Sequence, residues 1–532
     1  MMGRFAPCLL NVASLYLLIG APAGAVPQIR SILNAASYSQ PGMPNSGIAR
    51  GSMFVVFGTD LGPAELQQAA GFPLRTSLGS TSIRVTVGAT SVEALMVYVS
   101  STQVAAILPS ATPEGIGLAQ VTSNGLTSQA GAFRIVRSAP GILTQNQAGT
   151  GRALAQNFNS STDQPPNTLS NPAKAGQTVT LWGTGLGPVP DDEMMVPMPR
   201  NLDLNLQVLV GGKPAAVRYQ GRSACCTGVD QIVFEVPAGV SGCSVPVVVQ
   251  VDGAVSNFTA ISVADPNGSE CTDISGISGT MLEKLRAGGT IRVGAIVLGV
   301  SRGTFVQESG LAQFFVADLG WLASQVSLDL PVPGSCAAGP AASSTYGFTS
   351  PLVGLDAGQV LNVTGPKGSR QILQRWNGVY NEVFANGTLV QFLQPGTYTV
   401  DSAPGGADVG PFHATISYPA ELASTVQQSA TETTVNWTGG DSSGYVVVTG
   451  SAYSATGLRA DFSCLERTSA GKFTLPAYLL ASLPGSPSNV SALIAAGSSP
   501  QNRFQTQGLD IGYFSFCSPV SRLCNLTFQD WF

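Results

Sequence analysis

The sequence predicts an all-β fold, a row of antiparallel sandwiches, on three observations. The first is composition: 62 glycines and 35 prolines accompany only 10% charged residues, while 44% of the chain is hydrophobic. That combination supplies cores and turns and leaves little for long charged helices. The second is local pattern, short runs of Val, Ile, Phe and Thr bounded by Gly, Pro, Asn or Asp. The third is an internal duplication in the first half of the chain. At 532 residues the chain is too long for one compact domain.

Taken in chain order, residues 1–25 read as an export signal. Arg4 supplies the early positive charge, an apolar stretch follows from Cys8 to Gly20, and Ala23-Gly24-Ala25 suits signal-peptidase cleavage. The apolar run is shorter than the ~20 residues that cross a bilayer, and no later segment reads as a spanning helix. The expected location is therefore secreted, extracellular or cell surface. A net charge of −5 provides no field to gather phosphates, so no nucleic acid is expected as partner.

Export puts the cysteines in an oxidising compartment. Beyond Cys8, eight remain: Cys225, Cys226, Cys243, Cys271, Cys336, Cys464, Cys517 and Cys524. An even number there points to disulfides. Zinc would need facing Cys-x2-Cys pairs, and none is present; a single histidine, His413, removes any His-rich centre. Because one trans-peptide step is short for a disulfide, Cys225 and Cys226 are expected to pair outward with Cys243 and Cys271, and Cys517 with Cys524. Other connectivities remain open.

The duplication organises residues 26–265. Gly51-Ser-Met-Phe-Val-Val-Phe-Gly-Thr-Asp-Leu-Gly-Pro63 returns as Gly176-Gln-Thr-Val-Thr-Leu-Trp-Gly-Thr-Gly-Leu-Gly-Pro188. Ile83-Arg-Val-Thr-Val-Gly88 matches Leu206-Gln-Val-Leu-Val-Gly211, and Gln103-Val-Ala-Ala-Ile-Leu-Pro109 matches Gln231-Ile-Val-Phe-Glu-Val-Pro237. Gly125 and Ser128 recur as Gly253 and Ser256. Each copy reads as one sandwich, 26–137 and 138–265.

At Ala139-Pro-Gly-Ile-Leu-Thr144, the 176–188 segment, Val210-Gly-Gly-Lys-Pro-Ala215, the strand after Gly228 and Pro246-Val-Val-Val-Gln-Val-Asp-Gly253, the second copy resembles the IPT/TIG-like domain common near the C-termini of secreted acidobacterial proteins. The resemblance implies tandem immunoglobulin-like β-sandwiches, extracellular and without catalytic residues, followed by further antiparallel β domains. Here about half the chain follows the domain, a departure from its usual terminal position. Related domains occur in transcription factors, a branch that the export signal and negative charge argue against.

In the second half the copies stop. Met281-Leu-Glu-Lys-Leu-Arg286 reads as a short amphipathic helix before a strand at 290–300, and 331–344 as a loop or linker. Hairpin-like runs follow around 359–368 and 393–401, Thr433 to Thr449 reads as strand, turn, strand, and 476–483 as one helical turn. Gly405-Gly-Ala-Asp-Val-Gly-Pro-Phe412 and Trp437-Thr-Gly-Gly-Asp441 loosely resemble a second β module of secreted acidobacterial proteins. The expected division is a β-rich region with linker, 266–345, and C-terminal β domains, 346–532, with a soft boundary near 420.

The chemical candidates are few. Gly299-Val-Ser301-Arg-Gly303 and Gly440-Asp-Ser442-Ser-Gly444 have the Gly-x-Ser-x-Gly spacing, but neither leads from strand into helix as a nucleophile elbow does. Ser442 would need His413 as base, with Asp401, Asp408 or Asp441 to orient it. Gly183-Thr-Gly185-Leu-Gly187 precedes a proline-rich stretch and not the helix that a phosphate loop requires. Asp191-Asp192-Glu193 reads as a solvated loop tip. Tyr380, Tyr398, Trp437, Tyr445 and Tyr453 lie on β-like segments, where burial is the commoner fate of an aromatic ring. The expectation is a non-catalytic surface protein without cofactor or metal, structural, adhesive or ligand-binding, whose partner is an extracellular polysaccharide or surface protein. The alternative is a secreted hydrolase of polysaccharide acting through the C-terminal half.

Overall fold

The computed structural model describes residues 25–302, 306–319, 330–340, 353–387, 391–420, 422–429, 432–485, 490–497 and 501–517. All but the last residue of the expected export signal lies outside them. The architecture is all-β, and it begins with two tandem sandwiches.

In the first, Gln28–Asn34, Met53–Thr59, Gln103–Ile107, Leu95–Val99 and Gln67–Gln68 form one sheet in that order. It faces Ile48–Ala49, Gly131–Val136, Gly115–Ser123, Thr81–Val87 and Ser77–Leu78. Alternate side chains point inward: Phe54 and Val56 meet Ile83, Val85, Val121 and Phe133 in a closed core. The second sandwich repeats the plan. Gly141–Ile142, Thr178–Thr184, Asp230–Glu235, Val217–Arg222 and Arg200–Asn201 face Gly151–Arg152, Thr259–Val263, Gly242–Val251, Leu206–Val210 and Lys213–Ala215.

The repeated Gly and Ser have a local cause. Asn124-Gly125 and Asp252-Gly253 all take positive φ, at 49° and 82° and at 48° and 87°. This is the two-residue hairpin turn whose twist matches the strands, and it fixes the pairings Ser123↔Leu126 and Val251↔Ala254. Just beyond each turn, Ser128 and Ser256 are buried, and their hydroxyls accept from Val121 N at 3.0 Å and Val249 N at 2.9 Å. Each satisfies a ladder N–H that would otherwise be buried alone.

Beyond the second sandwich, Gly279–Arg286 is a helix capped by Ser278, whose hydroxyl accepts from Met281 N, with Lys284 and Arg286 in the last turn. Leu282 and Leu285 seal it over Cys243, Cys271, Val293 and Tyr513. The strands Ile291–Arg302 and Val306–Ala317 pair along their whole length. They lie inside one large sheet ordered His413–Tyr418, Gly396–Asp401, Val360–Gly365, Gly368–Trp376, Val379–Gly387, Val306–Ala317, Ile291–Arg302, Ile511–Cys517, Gln501–Phe504. The sheet curls until its ends meet, Asn502 Nδ2 donating to Thr415 O at 2.7 Å. Phe314, Tyr380, Phe392, Tyr398 and Phe514 fill the inside. Glu308 is buried there and accepts the backbone N–H groups of Gln391 at 3.1 Å, Phe392 at 2.8 Å and Leu393 at 2.7 Å, which pins the turn before Gly396–Asp401.

A last pair of sheets faces across a separate core. Ser335–Pro340, Arg459–Arg467, Tyr445–Tyr453 and Val490–Gly497 form one; Ala423–Gln428, Thr433–Thr438 and Lys472–Thr474 form the other. Strands from either side of residue 345 therefore share both this unit and the curled sheet, so the stretches 266–345 and 346–532 interleave in space. Residues 331–344, expected as a linker, contribute the strand Ser335–Pro340. Its small residues fit closely beside Arg459–Arg467, a partner too distant in sequence to be read locally. Thr433–Thr438 and Tyr445–Tyr453 do not pair as a hairpin. They belong to opposite sheets, because Trp437 and Val446 must both face the core between them. Leu209, Val248, Val255 and Phe258 join that core from the outer face of the second sandwich.

Candidate functional site

The cysteines require a correction. Cys243 pairs with Cys271 and Cys336 with Cys464, while Cys225 bonds its neighbour Cys226 across a Cα–Cα step of 3.8 Å. Outward pairing fails because Cys243 lies beneath the helix Gly279–Arg286, whereas Cys225 and Cys226 lie on an exposed turn between Val217–Arg222 and Asp230–Glu235. The expected Cys517–Cys524 bond lies outside the described residues, Cys517 being described in its backbone alone.

That turn is part of a polar joint between the two sandwiches. Arg222 and Asp230, with side chains 4% and 1% exposed, form an ion pair through Nη1 and Oδ1. The other guanidinium nitrogen, Nη2, donates to Gly51 O of the first sandwich at 2.6 Å and to Gly187 O at 2.7 Å. Asp230 Oδ2 accepts Leu186 N at 2.8 Å. Thr184 Oγ1 accepts Met53 N at 3.0 Å and donates to Gly228 O. The segment 183–187 is thus a docking turn and not a phosphate cradle. Gly185 has φ +102°, and a Cβ there would strike Ala139 O. Gly185→Ala is expected to cost about 1–3 kcal/mol, read from urea unfolding.

Glu193 also differs from the expected solvated tip. It is half-buried and accepts Ser110 N at 2.7 Å and Ser110 Oγ at 2.8 Å from the first sandwich. Asp191 pairs instead with Arg200 at 2.8 Å. Burial pushes the Glu193 carboxyl above its ordinary value, outweighing those hydrogen bonds and the attraction of Arg222. The folded protein therefore holds this proton more tightly than the unfolded chain. Its contribution to stability is largest below the ordinary carboxylate range and falls as pH rises through the raised value. Glu193→Gln is expected to remove that part of the pH dependence, measured as the difference in urea midpoint between wild type and variant from pH 4 to 7.

Among the serine candidates, Ser301 lies in the strand Ile291–Arg302, paired with Gln307, and not at the start of a helix. Ser442 sits in the connection at Asp441–Gly444, where Ser443 N and Oγ donate to Asp441 Oδ1 at 3.0 and 2.8 Å. His413 lies on the outer strand of the curled sheet: Nδ1 meets Asp401 Oδ1 at 2.5 Å, and Nε2 meets Thr415 Oγ1 at 3.3 Å. The structure makes the Asp–His pair on the curled sheet, while Ser442 lies in the connection between strands of two other sheets. Of the five aromatic candidates, Tyr380, Tyr398 and Trp437 are buried, Tyr445 is half-buried and Tyr453 is exposed.

The site that sequence reasoning missed is a cleft of about 200 Å³ where the first sandwich, the second sandwich and the four-stranded sheet meet. Tyr38 and Asn45 come from the first, Asn257 and Phe258 from the second, and Leu458 and Arg459 from the sheet. Asn45 is held by Ser39 Oγ at 2.7 Å and by Val255 O at 2.7 Å. Asn257 Oδ1 accepts Ile142 N at 2.7 Å, and its Nδ2 donates to Gly149 O at 2.8 Å. Arg459 Nε donates to Asp461 at 2.7 Å while its guanidinium lies 5.9 Å from the Tyr453 ring centre. Tyr38 stands at φ 50°, a conformation rare for a bulky side chain. A second cleft, of about 250 Å³, includes Asp265 and Asp273. Those carboxylates serve their own loop, Asp265 taking the Thr272 hydroxyl at 2.6 Å and Asp273 taking Ile277 N at 2.7 Å.

Residues 166–264 match the IPT/TIG domain family. No curated protein matches the chain. Solved structures similar to it include the full extracellular region of plexin A4, at 15% identity over 47% of this chain and 19% of that chain, TM-score 0.16. The chain thus spans about a fifth of that plexin region. Another is SGBP-B of the Bacteroides ovatus mixed-linkage glucan utilization locus, solved with a mixed-linkage heptasaccharide, at 11% identity over 85% of this chain and 92% of that chain, TM-score 0.13. The FN1–FN3 domains of chicken CNTN1 match at 10% identity over 63% of this chain and 90% of that chain, TM-score 0.14.

Proposed function

We propose, starting from an IPT/TIG domain within the second of two tandem sandwiches, that this chain is an exported, non-catalytic binding protein for an extracellular polysaccharide. The observation that carries the reading is the three-way cleft. Its walls come from three packed bodies, and its amides are already locked by backbone partners, so little ordering remains to oppose binding. A volume of about 200 Å³ suits one sugar ring and not a long apolar ligand. Tyr38 and Phe258 supply apolar faces, and Arg459 supplies donors for hydroxyls. The disulfides support export, since such bonds persist in oxidising compartments.

The test is a glycan array with the disulfide-intact chain from residue 26 onward, followed by calorimetry on any ligand found. Tyr38→Ala and Arg459→Ala are each expected to weaken binding at least tenfold while the urea midpoint stays put. Absence of binding to every glycan, or binding indifferent to both substitutions, overturns the reading.

A further inference from the structure

The three described disulfides differ in exposure and in the length of chain they close. Cys243, Cys271, Cys336 and Cys464 are buried, and their bonds span 28 and 128 residues. Cys225 and Cys226 lie on the exposed stretch 224–226, and their bond joins chain neighbours. A bond between neighbours removes almost no freedom from the unfolded chain, so the fold resists its opening far less than it resists opening of the other two. Exposure also lets an incoming thiolate reach the sulfur.

We propose that Cys225–Cys226 is a thiol-exchange site, opened by small dithiols, and that opening it loosens the joint between the two sandwiches. Ser223 decides which sulfur leaves. Its hydroxyl donates to Cys225 Sγ at 2.9 Å and accepts Cys225 N at 3.0 Å, so a thiolate forming on Cys225 is hydrogen-bonded from the start. One thiolate of the dithiol attacks Cys226 Sγ, the S–S bond breaks, and its electron pair departs on Cys225 Sγ. The second thiolate of the reagent then attacks its own sulfur in the mixed disulfide and releases Cys226 as thiolate. Two electrons pass to the protein, the reagent ends as a cyclic disulfide, and its two protons are left for the two cysteines.

The coupling follows from what flanks the pair. Arg222, three residues before Cys225, holds Gly51 O at 2.6 Å. Gly228, two residues after Cys226, accepts Thr184 Oγ1, which itself accepts Met53 N at 3.0 Å. Both ends of the turn are thus fastened to the first sandwich, and the disulfide sets the conformation of the chain between them.

The experiment treats the native chain from residue 26 onward with increasing dithiothreitol, alkylates free thiols and maps them by peptide mass spectrometry. Cys225 and Cys226 are expected to label together at least tenfold lower in reductant than Cys243, Cys271, Cys336 and Cys464. Amide exchange at 51–53 and 186–187 is expected to quicken on reduction and to recover on reoxidation, and the Cys225→Ser/Cys226→Ser double variant is expected to copy the reduced form. Ser223→Ala is expected to slow opening severalfold without moving the urea midpoint. Labelling of the exposed pair only in parallel with the buried four overturns the exchange site. Unchanged exchange at 51–53 in both the reduced protein and the double variant overturns the coupling, and an unchanged opening rate in Ser223→Ala overturns Cys225 as the leaving sulfur.

Discussion

Arg222→Ala is expected to lower the unfolding free energy by about 3–5 kcal/mol, measured by urea denaturation. The cost comes chiefly from what the substitution leaves behind. Asp230 is fully buried and would lose its counter-charge while keeping its place beside Leu186 N. Two carbonyls, Gly51 O and Gly187 O, would lose their donor together. The double variant Arg222→Met/Asp230→Leu separates the two effects. Replacing a buried pair by apolar groups of similar size is often close to neutral, so this variant is expected to regain most of the global stability. It has no donor for Gly51 O, so amide exchange at 51–53 is expected to stay fast. If the single variant unfolds at the wild-type urea midpoint, the pair does not hold the joint.

Removing the Cys336–Cys464 bond with a double alanine variant is expected to cost about 4–5 kcal/mol, because the bond closes 128 residues of chain. Both sulfurs are fully buried in the core that contains Trp437, Phe462 and Leu479, so the truncation also leaves unfilled volume there. The bond fastens Ser335–Pro340 to Arg459–Arg467, and Ser335–Pro340 is short and made largely of small residues. The unit is expected to lose this edge strand first, seen as early loss of amide protection at 335–340 during a urea titration. The same substitution at Cys243–Cys271, which spans 28 residues, is expected to cost less, about 3–4 kcal/mol. Equal costs for the two would show that chain closure is not the source of the stabilisation.

Both predictions concern contacts between residues whose partners the sequence does not name. The hairpin turns were legible because a two-residue turn with positive φ at both positions needs Asn-Gly or Asp-Gly, a requirement that lies within the dipeptide. The two sandwiches were legible for a related reason: each copy repeats its turns and alternating runs in register. Ser335–Pro340 was not, since Ser-Cys-Ala-Ala-Gly-Pro has no alternation and becomes a strand only beside Arg459–Arg467. Trp437 and Val446 showed that two strands exist and not that they lie in opposite sheets, because alternation gives a strand its faces and says nothing of its neighbour. Asp230 did carry a signal. The aligned position in the first copy is Thr102, so a carboxylate stands at the start of this strand in one repeat alone. The cleft carried none: Tyr38, Asn257 and Arg459 are ordinary residues in their own segments and converge only when three bodies pack.

The fold class, the tandem repeat and the positions of the turns follow from the chain itself, because glycine conformations, hairpin chemistry and side-chain alternation act over two to ten residues. The cysteine pairing, the interleaving of the C-terminal sheets, the buried Arg222–Asp230 joint and the three-way cleft depend on which surfaces meet. Those choices rest on shape and on desolvated charge across long loops. No local segment encodes them, and packing of the complete chain selects them.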